Sequence, residues 1–87
     1  MSKPQIVGWE INGRLFVRFQ NVRRDRFDRL LTEFRGALET MVAWDKDQGA
    51  WQLPLSAIQQ VAVFAEHHLG NQSFQYLGAK HVQLRLF

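Results

Sequence analysis

Arginine and aromatic side chains, rather than acid–base pairs, are the chemistry-bearing residues of this chain. Arg14, Phe16 and Arg18 alternate within one β-rich run, and Trp9 lies in the run before it. Guanidinium forks suit phosphate oxygens better than the point charge of lysine does. Aromatic rings set among them form the usual platform for stacking unpaired bases. Arg23, Arg24 and Arg26 follow, with Arg29 and Arg35 beyond. Residues 14–35 hold seven arginines against Asp25, Asp28 and Glu33, a local charge of +4, whereas residues 36–79 set Lys46 against Glu39, Asp45, Asp47 and Glu66, a local −3. Segregation of this kind points to a polyanionic partner. The plainer account is a solvated helix face with internal i,i+4 pairs, such as Asp25 with Arg29.

Other constellations carry less. No phosphate-binding glycine loop, no G-x-S-x-G and no His-Glu-x-x-His occurs. Glu66, His67, His68 and His81 could be imagined around a metal, but adjacent helical histidines diverge by about 100° and do not share an ion easily. Asp45-Lys46-Asp47-Gln48-Gly49 has the opening of a calcium loop without its remaining ligands, and a hairpin tip rich in Asp and Gly needs no metal. No catalytic residues, cofactor or metal are therefore expected. Trp44 and Trp51 bracket that tip and are expected to pack on each other across the strands, with base stacking a secondary use.

The elements that hold these residues follow from spacing. Residues 6–11 and 14–19 are two β-rich runs separated by Asn12-Gly13, the dipeptide best suited to a type I′ turn. A two-residue turn sets Ile11 opposite Arg14, Trp9 opposite Phe16 and Val7 opposite Arg18. Alternation then puts Ile6, Gly8, Leu15, Val17 and Phe19 on one face. Val7, Trp9, Ile11 and Phe16 share the other with Arg14 and Arg18. If that second face is open, it is a nucleic-acid platform; if covered, it is an interface, most simply with a second copy of the chain.

Asn21 is the expected cap of a helix whose stripe is Phe27, Leu30, Leu31, Phe34 and Leu38. Arginines in its first turns oppose the helix dipole. Residues 40–45 and 50–53 make a second hairpin around Lys46-Asp47-Gln48-Gly49, and Pro54 ends it. Ser56-Ala57-Ile58-Gln59 has the form of a capping box for a second helix. Its stripe is Ile58, Val61, Ala62, Ala65 and Leu69, with Phe64 at the margin and Gly70 just past the end. Residues 71–78 are expected to be loop or short extended chain, and residues 80–87 alternate as a closing strand. The order ββα-ββα-β, with helices on one face of a mostly antiparallel sheet, is an α+β domain.

Length and composition bound this picture. Eighty-seven residues make one domain spanning 1–87, burying about 60–65% of its unfolded surface. The 46% hydrophobic content suffices for a core. With no cysteine, disulfides and thiolate chemistry are excluded. No apolar run approaches the roughly 18 residues of a membrane span, and a signal-peptide core is lacking, so a soluble, cytoplasmic protein is expected.

The segment 15–55 resembles the HARP domain, the small module beside the motor of annealing helicases. It is also similar to the N-terminal domain of a phage recombination helicase. The resemblance rests on Phe16-Val17-Arg18-Phe19, Phe27/Leu30/Leu31, Trp44-Asp45, Lys46 through Trp51, and Pro54-Leu55. It implies an accessory domain for single-stranded or fork DNA, with a helicase partner or parent chain and no catalytic residues of its own. The expectation is therefore a non-enzymatic nucleic-acid-binding module. Arg14, Arg18, Arg23, Arg24 and Arg26 would contact phosphates, and Trp9 and Phe16 would stack bases. The rival is a protein-interaction or homodimerisation module using the same apolar face and the C-terminal edge strand.

Overall fold

Asn12 and Gly13 both adopt positive φ, 52° and 79°, which the right-handed twist of a two-residue hairpin demands. They join β1 (Gln5–Ile11) to β2 (Arg14–Gln20) in the expected register, with Ile11 opposite Arg14 and Trp9 opposite Phe16. The structure is a computed structural model and describes residues 3–38 and 42–79. After the hairpin come α1 (Arg24–Leu38), β3 (Ala43–Asp45) and β4 (Ala50–Pro54). A 3-10 turn (Leu55–Ala57), α2 (Ile58–Leu69) and β5 (Phe74–Ala79) complete it.

The five strands form one sheet in the order β3-β4-β2-β1-β5. All neighbours are antiparallel except β1 and β5. Because β2 and β3 both run antiparallel to β4, they are parallel to each other, and α1 is the crossover that joins them. In the same way α2 carries the chain from β4 across β2 and β1 to β5. Parallel partners need such a connection, whereas hairpins do not. The result is the expected α+β architecture, and no described helix is long and apolar enough to cross a membrane.

The core lies between the sheet and the two helices. Ile6, Leu15, Val17 and Leu53 from the sheet meet Leu30, Phe34 and Leu38 of α1 and Val61, Phe64 and Ala65 of α2. Three phenylalanines connect the layers edge to face. Phe19 and Phe34 centroids are 5.2 Å apart, and Phe34 and Phe64 are also 5.2 Å apart. Phe64 is therefore central rather than marginal: its ring fills the space between the helices.

Two local expectations are corrected and a third is resolved. Asn21 does not cap α1: it takes φ 60°, a left-handed position that its short polar side chain tolerates, and its Nδ2 donates to the Lys3 carbonyl at 3.3 Å. The Arg23 carbonyl instead accepts from the amides of Arg26 and Phe27 at 3.0 and 2.8 Å, which makes Arg23 the N-cap. Ser56 forms no capping box, because the 3-10 turn after Pro54 satisfies the Ile58 amide through the Leu55 carbonyl. Of residues 71–78, expected as loop or short extended chain, the extended alternative holds from Phe74, and strand β5 runs on to Ala79 along the edge of β1 left open by β2. The closing strand expected at 80–87 lies outside the described residues, as do Thr40 and Met41 of the second hairpin.

Candidate nucleic-acid interface

The basic cluster forms where α1 begins. Arg23, Arg24, Arg26 and Arg29 are all exposed. A shallow concavity is lined by Arg23, Asp25, Arg26 and Arg29, and a second by Val22, Arg24, Phe27 and Asp28. Arg23 Nε stands 3.5 Å from Asp25 Oδ1, a pair so exposed that it contributes little to stability. Arg26 Nη2 donates to the His68 carbonyl at 2.9 Å, pinning the first turn of α1 to the last turn of α2. A cation there also meets the negative end of the α2 dipole. Arg24 and Arg29 carry no contact of this kind among the described residues and are the two cations most available to a ligand. Arg29, whose spacing suggested an i,i+4 pair with Asp25, instead lines the first concavity while Asp25 stands by Arg23; its place one turn after Arg26 was the available signal.

Arg14 and Arg18 lie elsewhere. They do share a face with Trp9 and Phe16, as the register requires. Arg14 is exposed at the hairpin end of β2, however, and Arg23 follows its other end. Seven residues of strand set the two about 20 Å apart. Arg18 is committed within the fold. Its Nε donates to the Gly49 carbonyl at 3.1 Å and its Nη2 to the Gln48 carbonyl at 2.8 Å. Its guanidinium carbon also sits 5.5 Å from the Trp9 ring centroid. The five predicted phosphate ligands thus do not converge on one site: Arg23 and Arg26 line one concavity with Arg29, Arg24 lines the next, Arg14 stands apart, and Arg18 latches the β3–β4 turn.

The predicted stacking pair is covered. Trp9 and Phe16 are 7% and 6% exposed, and they lie in a small cluster with Val7 and Ala50 on the sheet face opposite the helices. Their rings are nearly parallel, 15° apart with centroids at 6.3 Å. In this conformation neither presents an open ring face to a base, so the mixed Arg/aromatic face is a packed surface.

The most exposed aromatic among the described residues is Trp44, at 54%, with Tyr76 at 39%. Trp44 stands directly opposite Trp51 in the β3–β4 ladder, with ring centroids 4.9 Å apart and planes at 66°. Trp51 in turn lies under Arg35, whose guanidinium carbon is 5.9 Å from its ring centroid. The intervening turn is tied by Asp45, whose Oδ1 accepts from the amides of Asp47 and Gln48 at 2.9 and 3.1 Å. That carboxylate is the anchor of an Asx turn.

Titratable groups elsewhere fit a structural role. His68 packs on Phe64 with centroids 4.2 Å apart, and no group of three metal-ligating side chains occurs among the described residues. Tyr76 Oη donates to Glu10 Oε1 at 3.4 Å. Partial desolvation of the hydroxyl, and then the adjacent Glu10 carboxylate, hold its pKa above the usual tyrosine value. No family model, curated protein or solved structure matches the chain.

Proposed function

We propose that this chain is a non-enzymatic nucleic-acid-binding module that grips phosphates with the arginines opening α1. The observation that carries this reading is the cluster of Arg23, Arg24, Arg26 and Arg29, all exposed at the helix end where cations are least favoured. Arg23 and Arg24 stand in the first turn without a compensating partner in the fold beyond the exposed Asp25, which costs helix stability, and a bound polyanion offsets that cost. Phosphate contacts position a strand without reading its bases, so no sequence specificity is proposed. The HARP-like spacing of Trp44-Asp45, Trp51 and Pro54-Leu55 supports single-stranded or fork DNA as the substrate and a helicase as partner or parent chain.

Fluorescence anisotropy with labelled single-stranded, duplex and forked DNA at several salt concentrations tests this. Binding should weaken linearly on a log–log salt plot. Replacing Arg24 and Arg29 together by glutamine should lower the single-strand slope by about 1.4, two contacts at roughly 0.7 each. Absence of binding to all three ligands at low salt overturns the reading. A mass that rises with protein concentration in ultracentrifugation would then favour the self-association module.

A further inference from the structure

Around a helix at 100° per residue, positions 24 and 35 differ by 1100°, which returns them to within about 20° of each other. Arg24 and Arg35 therefore share one flank of α1, about 16 Å apart along its axis. Both are exposed. Asp28 lies on this flank between them, so the cationic track is not continuous.

This flank faces the β4–β3 edge of the sheet, because Arg35 lies over Trp51. Trp51 pairs with Val17, whose side chain is in the core, so Trp51 and Trp44 both stand on the helix-covered side. Trp44 is one strand further out, beyond the cover of α1, and that position accounts for its exposure. The edge-on contact with Trp51 fixes the indole, and the Asp45-anchored turn fixes the strand beneath it. A half-exposed indole held in one orientation, against a second indole that carries a guanidinium, is suited to a flat, anionically tethered ligand.

We propose that Trp44 is a base-stacking site for single-stranded nucleic acid, with Arg35 over the neighbouring Trp51 and the strand's phosphates running along the α1 flank toward Arg24. The inference rests on the phosphate reading above and adds the base as a recognised group. A paired duplex base keeps its faces stacked on its neighbours, whereas an unpaired base has a face to offer. The site therefore selects single strands over duplex.

The test compares a labelled oligothymidylate with an abasic strand of equal length at one salt concentration. The native chain should bind the base-bearing strand tighter by roughly 10-fold. Trp44→Ala should remove that preference while leaving abasic binding and the salt slope unchanged. Trp44→Phe, which keeps a ring, should retain most of it and controls for folding. Equal affinity of the native chain for the two strands overturns the stacking site and leaves the phosphate reading standing. Persistence of the preference in Trp44→Ala also overturns it. Failure to bind either strand overturns both readings together.

Discussion

Arg18 shows how a residue with the right chemistry for a ligand can be held by the fold instead. Its side chain spans from β2 to the β3–β4 turn and donates to two consecutive carbonyls, Gln48 and Gly49, while lying against Trp9. The planar fork of arginine holds its two donors in the fixed geometry that this needs and stacks on the indole, which a lysine ammonium does less well. Replacing Arg18 by glutamine should therefore cost about 1–2 kcal/mol, the sum of exposed hydrogen bonds and a surface cation–π contact. A urea melt followed by tryptophan fluorescence reads that loss. The salt slope of nucleic-acid binding, measured on the folded variant, should stay where it is. A reduced slope would return Arg18 to the ligand and separate it from the turn. Arg24 is the opposite case, exposed and without a contact among the described residues, so its substitution should move the slope and leave the melt almost unchanged.

At the scale of the element, α1 is a helix built against its own electrostatics. Its N-cap is Arg23, whose side chain has no acceptor to offer the first free amides, and further arginines follow within the first two turns. Arg23→Asp supplies a capping oxygen and a charge of the favoured sign. It should raise stability by about 1 kcal/mol in thermal unfolding, even though Asp25 loses an exposed partner. The same change should weaken nucleic-acid binding, so stability and affinity would move in opposite directions. A variant that gained both would show that the cluster is not a ligand surface. The elements themselves were largely legible because their signals are local: Asn12-Gly13 dictates a hairpin register, and the i,i+3,i+4 stripe from Phe27 to Leu38 dictates a helix face. The caps were not, because Asn21 and Ser56 had backbone alternatives whose outcome depends on the Lys3 carbonyl and on Pro54. β5 was legible only as loop or short extended chain, since a parallel edge strand is defined by a partner some seventy residues away. The candidate site was half legible for the same reason. Charge segregation pointed to the start of α1, but nothing local distinguishes an arginine that faces solvent from one that reaches across to another turn. Likewise, alternation placed Trp9 and Phe16 on one face without showing that the face is covered.

In the whole molecule, the two helices and the sheet are joined by one aromatic chain, and the proposed surface depends on it. Phe19 reaches from β2 to Phe34 of α1, and Phe34 reaches to Phe64 of α2. Arg26 adds a polar tie between the same helices at the protein surface, through the His68 carbonyl. Phe34 is fully buried at the centre of this arrangement, so truncating it leaves a cavity that neither helix can close without leaving the sheet. Phe34→Ala should cost about 3–5 kcal/mol. A domain of this size holds only about 4–13 kcal/mol in total, so at a urea concentration where the native chain and Phe34→Leu stay folded, Phe34→Ala should be unfolded. Phe34→Leu, which keeps most of the volume, should lose much less and fold. The pair separates two sources of affinity. Because Arg23, Arg24, Arg26 and Arg29 are close in sequence, part of their attraction for a polyanion survives unfolding, whereas stacking on Trp44 needs the β3–β4 edge in place. The Phe34→Ala chain should therefore retain weak, salt-sensitive binding and lose its preference for base-bearing strands, while Phe34→Leu keeps both. Anisotropy measurements on the two variants, alongside circular dichroism to report their folded fractions, check this. A preference that survived in the unfolded chain would mean that the bases are read by local sequence and not by the architecture that presents Trp44.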